Sequence, residues 1–355
     1  MRGRAPKLIA PRPAVARLEE YHAPEEGRAG KLRLDFNENT VGCSPAVLRA
    51  LRKLTREGLA MYPEYQTASR RLAAFFGVRA TEMLLTNGVD DALRLIVDTF
   101  VDRNDAVLLV EPTFPMYRFY AALVEARVAR LRYDAEMRFP LEAVLRALRK
   151  RPRVFFLANP NNPTGTLLAK ETICRLLEAS PKTVLVVDEA YAEFSGVTVL
   201  PWIRRYPNLV VTRTFSKATG LAGLRLGCLF SGSAMIGLME KARTPFPVNA
   251  AALVAAEAAT RDTRFILRYV CEITRSREDL TRGLEELGIR VFPSAANFLT
   301  ADFGSRGLAV VQGLARRGIL LRDRSSEFGR AGLVRITVGT RAQTRRLLRA
   351  IEGLG

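Results

Sequence analysis

A lysine that directly follows an apolar segment is the first candidate for chemistry. Lys217 ends the sequence Thr212-Arg-Thr-Phe-Ser-Lys217 and is one of only eight lysines among 55 basic residues. A desolvated lysine beside other cations loses its proton easily, and its free amine then forms a Schiff base with a carbonyl group. Taken alone, the same residue also fits an ordinary surface position. Ser216 and Arg225 favour the first interpretation, because a hydroxyl, an ammonium and a guanidinium together suit a phosphate.

An aspartate ends the most apolar segment of the chain, in Val186-Val-Asp-Glu-Ala-Tyr191. A carboxylate at this point can keep a pyridinium nitrogen protonated, which is what the cofactor pyridoxal phosphate requires. Tyr191 can donate to the phenolate oxygen of the same ring. An aspartate at a strand end also fits a helix cap, so Asp188 by itself leaves both interpretations open.

Two further polar or aromatic groups follow predicted strands. The segment Asn159-Pro-Asn-Asn-Pro-Thr-Gly165 is compatible with a simple turn, but the complete seven-residue sequence is more specific than a turn requires. Functionally, the Asn162 amide can donate to the same phenolate oxygen. Phe114 fits either a core position or a ring that stacks on a pyridine.

A predicted helix start supplies backbone donors. The segment Thr86-Asn-Gly-Val-Asp-Asp91 opens a helical pattern, and Gly88 permits a close backbone approach. The N–H groups of Val89 and Asp90 then face the place where a phosphate would lie. The Asn-Gly pair also fits a plain helix start.

The elements that must position these residues follow an α/β pattern. Four continuous apolar segments alternate with helical patterns, which is typical of strands buried on both faces of a parallel sheet. Ligands bind at the carboxyl ends of such strands, so the candidate residues are expected to meet there. The predicted strands are Ala106–Val110, Val154–Leu157, Val184–Val187 and Leu209–Thr212, and the predicted helices are Asp90–Val101, Met116–Ala126, Leu141–Lys150 and Lys170–Glu178.

The chain is expected to divide into three parts. Residues 1–40 are rich in loops and form an N-terminal arm that folds against the last part or reaches another subunit. Residues 41–260 carry the alternating pattern and form the large cofactor-binding domain. Residues 261–355 begin with a long charged helix over Thr263–Leu287 and form a smaller C-terminal α+β domain.

Composition excludes several other classes of protein. With 355 residues and 48% hydrophobic residues, the chain is long enough for about two domains with a large core. The single histidine, His22, excludes a metal site built from several histidines, and we expect no metal. The four cysteines lie far apart without a C-x-x-C motif, which indicates thiols in a reducing compartment.

The net charge of +19 is spread along the chain and comes without a nucleic-acid-binding motif. We therefore expect no specific nucleic-acid partner. Neither a secretory signal nor a membrane-spanning segment is visible in the sequence, so a cytoplasmic protein is expected.

These elements together resemble the fold-type I pyridoxal phosphate-dependent enzymes, and among them the aminotransferase class that includes the histidinol-phosphate aminotransferases. The resemblance extends from Tyr21 to about Thr340. It implies an α/β fold with a large domain, whose mostly parallel central sheet has helices on both faces, and a smaller α+β domain. The segments that carry it are Leu34-Asp-Phe-Asn-Glu-Asn39, Met61-Tyr-Pro-Glu64, Thr86-Asn-Gly-Val-Asp90, Asn159-Pro-Asn-Asn-Pro-Thr-Gly165, Asp188-Glu-Ala-Tyr191, Ser216-Lys217, Gly223-Leu-Arg-Leu-Gly227, Gly318-Ile-Leu-Leu-Arg322 and Val334-Arg-Ile-Thr-Val-Gly-Thr340.

The resemblance also implies roles for individual residues. Lys217 is the Schiff-base lysine and moves the proton to and from the substrate α-carbon, while Asp188 pairs with the pyridine nitrogen. The other implied cofactor-binding residues are Tyr191 and Asn162 at the phenolate oxygen, Phe114 over the ring, Ser216, Arg225, Gly88, Val89 and Asp90 at the phosphate, and Tyr62 from a second subunit. The implied substrate-binding residues are Arg335 for an α-carboxylate, Arg322 and Tyr21 for a side-chain phosphate, and Asn37 in the same cleft.

The function implied is a homodimeric transaminase, with active sites at the subunit interface, that uses an amino donor and a 2-oxo acid acceptor. Histidinol phosphate with 2-oxoglutarate, in histidine biosynthesis, is the leading pair. An aromatic amino-acid aminotransferase and a threonine-phosphate decarboxylase remain alternatives on the same scaffold. The sequence departs from the family at Phe114, where tyrosine is usual, at Thr40, where proline is usual, and at Glu20-Tyr21, where Pro-Tyr is usual. The last departure bears on the substrate end of the site.

A regulator that binds the same cofactor is a further alternative, from another class of protein. Regulators of this type carry a DNA-binding helix-turn-helix module before the aminotransferase-like part. The motifs here begin by residue 21, which argues against such a module.

Overall fold

Short strands alternate with longer helices along most of the chain. The computed structural model describes residues 9–18 and 26–354. The strands within these ranges are β1 Leu32–Arg33, β2 Met83–Thr86, β3 Ala106–Glu111, β4 Arg127–Arg132, β5 Val154–Ala158, β6 Val184–Asp188, β7 Leu209–Thr214, β8 Gly227–Phe230, β9 Arg290–Phe292, β10 Phe298–Asp302, β11 Ile319–Leu320, β12 Arg322–Asp323 and β13 Leu333–Thr337.

The helices connect these strands and cover the sheets. None of those described is long and apolar enough to cross a membrane. The α-helices are α1 Pro13–Ala16, α2 Pro45–Leu51, α3 Arg56–Ala60, α4 Tyr65–Phe76, α5 Gly88–Phe100, α6 Pro115–Leu123, α7 Leu141–Leu148, α8 Lys170–Ala179, α9 Ala192–Ser195, α10 Ser233–Glu240, α11 Ala250–Arg261, α12 Thr263–Glu286, α13 Gly307–Arg316, α14 Ser325–Phe328 and α15 Arg341–Glu352. Short 3₁₀ helices lie at Ala80–Glu82, Leu200–Arg204, Ala222–Leu224 and Gly304–Arg306.

The large sheet has seven strands in the order β2-β8-β7-β6-β5-β3-β4. All neighbouring strands from β7 to β4 pair in parallel, and β8 is antiparallel to both β7 and β2. Strands β5 and β6 are buried along their whole length, because helices cover both faces of the sheet. The predicted α/β fold with a mostly parallel central sheet is confirmed.

Alternate side chains of each central strand enter different cores. On β6, Leu185 and Val187 pack into the core that also contains residues of α4, α7, α8 and α11. Val184 and Val186 point the other way, into a core shared with α5, α6 and α10. Complete burial of one such side chain contributes about 2 kcal/mol, so the two cores hold β6 firmly and fix the position of Asp188 at its end.

A second sheet is built by the C-terminal part of the chain. Strands β12, β13, β10 and β9 form an antiparallel sheet, whose core includes apolar residues of α12 and α15. Strand β1 pairs in parallel with β11, and the Thr337 N–H donates to the Leu34 oxygen at 2.9 Å. The segment after β1 is therefore held beside β13. The domain boundaries at residues 40 and 260 stay a prediction.

Candidate active site

A cavity of about 280 Å³ lies at the carboxyl ends of β5, β6 and β7. Parallel strands end at the same edge of a sheet, which brings together polar groups that are far apart in the chain. The segment after β1 and strand β13 also contribute to its wall. The sequence-predicted residues that line it are Asn37, Val89, Asp90, Phe114, Asn162, Asp188, Tyr191, Ser216, Lys217, Arg225 and Arg335.

Lys217 lies on the loop that follows β7. Its Nζ donates to the backbone oxygen of Phe36 at 3.1 Å and is 5.9 Å from the centre of the Tyr191 ring. Burial and, after it, the nearby charge of Arg335 lower the pKa of the Lys217 ammonium to about 8. At neutral pH this lysine therefore has a larger neutral fraction than an ordinary lysine. The neutral amine is the form that reacts with carbonyl groups.

Asp188 accepts hydrogen bonds from two hydroxyl groups. Tyr117 Oη donates to Oδ2 at 2.7 Å, and Thr212 Oγ1 donates to Oδ1 at 3.0 Å. Burial raises the pKa of Asp188, and both hydrogen bonds oppose that increase. No ion pair to this carboxylate exists in the part of the chain that the structure describes. Since a buried, unpaired carboxylate is costly, a cationic group bound beside Asp188 would be stabilised.

Tyr117 is a site residue that sequence analysis missed. It is completely buried, and its ring stacks on Phe156 with 5.0 Å between ring centres. Phe114 packs edge-on against it at 5.6 Å and lines the cavity. In the sequence, the only feature that connects Tyr117 with the candidate residues is its position three residues after Phe114, which lies just before α6. That spacing does not indicate which carboxylate it meets.

Two amide side chains have orientations set by their neighbours. Arg335 Nη1 donates to Asn162 Oδ1 at 2.7 Å, and since a guanidinium only donates, the Asn162 N–H groups point elsewhere. Asn37 Nδ2 donates to Tyr191 Oη at 3.0 Å, while Asn37 Oδ1 accepts from Thr337. The Tyr191 hydroxyl hydrogen and the Asn162 amide are thus both available as donors to a group in the cavity.

The start of α5 forms a small cradle. Gly88 has φ +75°, a conformation that favours glycine, and a Cβ at this position would displace the end of the Arg225 side chain. Arg225 Nη2 donates to Asp90 Oδ2 at 3.0 Å across the helix end. The first N–H groups of a helix have no partner within the helix and carry its positive dipole end. With the Ser216 hydroxyl in the same wall, this cradle suits a phosphate group.

Arg335 on β13 is an anion-binding candidate at the other side of the cavity. It is 3% exposed and donates to two neutral oxygens, Asn162 Oδ1 and the Asp35 backbone oxygen. Its Nε has no hydrogen-bond partner among residues 9–18 and 26–354. Burial and, after it, the charge of Arg324 lower the pKa of Arg335 to about 9, which leaves the guanidinium charged at neutral pH. A buried cation with neutral partners favours a bound anion.

Arg324 is the second residue that sequence analysis missed. It is 6% exposed, lines the cavity and forms an ion pair with Glu327 through Nη1. Arg322, the arginine predicted to bind the substrate phosphate, does not line the cavity. Its guanidinium carbon lies 5.7 Å from the centre of the Phe36 ring. Arg322 lies on β12 and Arg324 is the first residue after it, before α14, so the sequence alone does not separate these two neighbouring arginines.

Two other predicted residues lie away from this cavity or outside the structure. Tyr62 is 76% exposed, stacks on Phe246 at 4.2 Å between ring centres and does not line the cavity. Tyr21 lies outside the described residues.

Comparisons with known proteins agree with this geometry. The sequence profile of the family described as aminotransferase class I and II matches residues 29–351. A histidinol-phosphate aminotransferase of Geobacillus sp. (strain WCH70) is 39% identical over 334 residues, covering 92% of this chain and 91% of that protein.

Two solved structures are also similar. The histidinol-phosphate aminotransferase of Sinorhizobium meliloti in complex with pyridoxal-5′-phosphate has a TM-score of 0.88 and 28% identity, over 98% of this chain and 99% of that one. The L-threonine-O-3-phosphate decarboxylase of Porphyromonas gingivalis has a TM-score of 0.80 and 26% identity, over 91% of this chain and 98% of that one.

Proposed function

The chain belongs to the class I and II aminotransferases, and we propose that it is a pyridoxal 5′-phosphate-dependent transaminase of histidine biosynthesis. Its amino donor is histidinol phosphate and its acceptor is 2-oxoglutarate. The observation that carries the proposal is one cavity in which a lysine of lowered pKa, a buried unpaired carboxylate and a buried unpaired guanidinium converge: Lys217, Asp188 and Arg335. The similarity to the histidinol-phosphate aminotransferase of Geobacillus supports this donor.

The residues present fit pyridoxal 5′-phosphate. The cradle at Gly88, Arg225 and the start of α5 suits its phosphate, and a Cβ at position 88 would displace the Arg225 guanidinium from it. Asp188 suits a protonated ring nitrogen, because the carboxylate has no other cation among the described residues. The free donors on Tyr191 and Asn162 suit the phenolate oxygen, and Phe114 suits a ring face.

When bound, this cofactor supplies an electron sink for the negative charge that develops at the substrate α-carbon. Asp188 holds a proton at the ring nitrogen, and Tyr117 and Thr212 hold the Asp188 carboxylate in place. Lys217 Nζ takes the proton from the substrate α-carbon, since an amine with a pKa of about 8 is an effective base near neutral pH. Arg335 binds an anionic group of the substrate and so orients the α-carbon toward Lys217.

A panel of amino donors tests the proposed donor. Protein saturated with pyridoxal 5′-phosphate and supplied with 2-oxoglutarate should form glutamate from histidinol phosphate with a kcat/KM at least about tenfold above that with phenylalanine. The reason is that phenylalanine leaves part of the buried positive charge unpaired. Release of CO₂ from threonine phosphate without glutamate formation would instead identify a decarboxylase. A higher kcat/KM with phenylalanine would identify an aromatic aminotransferase.

We further propose that the enzyme acts as a homodimer in the cytoplasm. The free thiols Cys43, Cys174, Cys228 and Cys271 support a reducing compartment. A groove of about 910 Å³ lies between α2, α3, α4 and α11, and apolar side chains are exposed around it. A second copy of the chain would bury them and bring its Tyr62 to the cofactor phosphate. The exposed apolar residues are Leu48, Leu59, Met61, Tyr62 and Phe246.

Mixed dimers test whether Tyr62 acts in the partner's site. Tyr62→Ala and Lys217→Ala proteins, each of low activity, should recover about a quarter of native activity after subunit exchange. Half of the dimers would then be hybrids, and each hybrid has one complete site. A chain that carries both substitutions, mixed with Lys217→Ala protein, is the control and should recover nothing. Absence of recovery after exchange has been demonstrated by mass spectrometry would refute a role across the interface.

A further inference from the structure

We propose that Arg324 is a specificity-determining residue, whose guanidinium binds the phosphate of the amino donor beside Arg335. This proposal rests on the proposed function. Arg324 lies two residues after Arg322, the arginine that the sequence resemblance assigns to the substrate phosphate. Four observations carry it: the placement of Arg324, its burial, its free donors and the balance of charge around it.

The backbone of Arg324 is held rigidly at the edge of the second sheet. Its N–H donates to the Leu333 oxygen at 2.8 Å, which continues the pairing of β12 with β13 by one residue. Asp323 Oδ1 accepts from the Ser325 N–H at 2.9 Å and from the Ser325 hydroxyl. The Ser325 oxygen in turn accepts from the Gly332 N–H at 3.0 Å. The side chain therefore lines the cavity from a defined turn.

The side chain has donors that its own ion pair does not use. Arg324 is 6% exposed and pairs with Glu327 through Nη1, yet its buried Nε has no hydrogen-bond partner in the described ranges. The buried Nε of Arg335 also has no hydrogen-bond partner among the described residues. Both side chains line the same cavity. Two guanidiniums that line one cavity suit an anion that has several acceptor oxygens.

The local charge favours an anion with more than one negative charge. Arg324 and Arg335 contribute two positive charges, and Glu327, with 27% of its side chain exposed, is the single carboxylate that pairs with either of them in the described structure. Asp35 does not add to this balance, because its Oδ1 already binds Arg28 at 2.7 Å. A phosphate monoester carries between about −1.5 and −2 near neutral pH, whereas a carboxylate carries −1. The excess of positive charge beside Arg324 and Arg335 therefore favours the phosphorylated amino donor.

The ratio of kcat/KM for histidinol phosphate to kcat/KM for histidinol measures this preference. In Arg324→Gln the ratio should fall at least about tenfold, because a buried charge-assisted contact with the phosphate is lost. Arg324→Lys should give an intermediate ratio, since it keeps the charge but not the planar fork. A structural role alone would lower both kcat/KM values together and leave the ratio unchanged, which would overturn the proposal.

Two further variants complete the experiment. Arg330→Gln removes an exposed guanidinium from the same turn, where it pairs with Asp302, and should leave the ratio at the native value. Glu327→Gln removes the ion-pair partner of Arg324 and should raise the ratio of the two kcat/KM values. If Arg324→Gln does not fold, Glu327→Gln is the test variant. An unchanged ratio in Glu327→Gln would overturn the proposal. If native protein fails to use histidinol phosphate, the proposed function fails. If only the ratios are insensitive, the role of Arg324 fails alone.

Discussion

Replacement of Lys217 by alanine is expected to lower turnover by on the order of 10⁴-fold, because in the proposed mechanism one amine is both the covalent attachment for the cofactor and the base at the substrate α-carbon. The same variant should lose the visible absorbance of the bound cofactor. Steady-state glutamate formation and an absorbance spectrum after gel filtration measure the two effects. Both depend on the lowered pKa and on the position of Nζ at the end of β7.

Lys182→Ala is the matched control. Lys182 is an exposed lysine shortly before β6, far in the chain from the loop that carries Lys217. Its replacement should leave both turnover and the cofactor spectrum at native values. Turnover within tenfold of native in Lys217→Ala would refute the mechanism, even if the spectrum changed.

Replacement of Asp188 by asparagine is expected to lower turnover by on the order of 10²- to 10³-fold, the second largest effect. Asparagine keeps the shape of the side chain but removes the charge that is proposed to pair with a protonated ring nitrogen. Loss of one partner of a buried charge pair has effects of this size. Lys217 is intact in this variant, so the visible absorbance should remain, with a shifted maximum. Stopped-flow measurement of the half-reaction with histidinol phosphate separates this loss from slower product release.

Tyr117→Phe and Thr212→Val test whether the two hydrogen bonds to the Asp188 carboxylate contribute to turnover. Each variant removes one of its hydrogen bonds, and each should lower turnover by about tenfold, since a hydrogen bond to a charged group contributes about 1.5–3 kcal/mol. A near-native rate in Asp188→Asn, or an equal loss in Asp188→Asn and Tyr117→Phe, would contradict the assigned role of the carboxylate.

The strands at the centre of the large sheet were predictable from the sequence. Strands β3, β5, β6 and β7 are buried on both faces, so each appears as a continuous apolar segment. Strand β4 lies at the sheet edge, and its sequence Arg127-Val-Ala-Arg-Leu-Arg132 is largely exposed, so it lacks that pattern. Strand β8 is short, and besides β7 it pairs with β2, which lies more than 130 residues earlier in the chain and which no local pattern indicates.

Much of the candidate site was also predictable, because its residues lie in short segments that follow strands or begin a helix. Chemistry at such positions depends on residue type and on nearest neighbours, and both are visible in the sequence. Lys217, Asp188 and the Gly88–Asp90 helix start are examples. Lys217, Asp188, Val89 and Asp90 line one cavity, and Lys217 and Asp188 meet there because the strands that precede them are parallel.

The α/β class and the reactive groups at the strand ends are visible in the amino-acid sequence. Which of several similar side chains face the cavity is visible only in the folded chain. Tyr117 meets Asp188 across 71 residues of chain, and Arg324 lines the cavity while Arg322 lies against Phe36. The physical reason is that local sequence sets residue type and periodicity, whereas contact between distant segments depends on how the sheets pack. Arg322 on β12 and Arg324 just after it are only two residues apart, and the turn that follows the strand decides which of them lines the cavity.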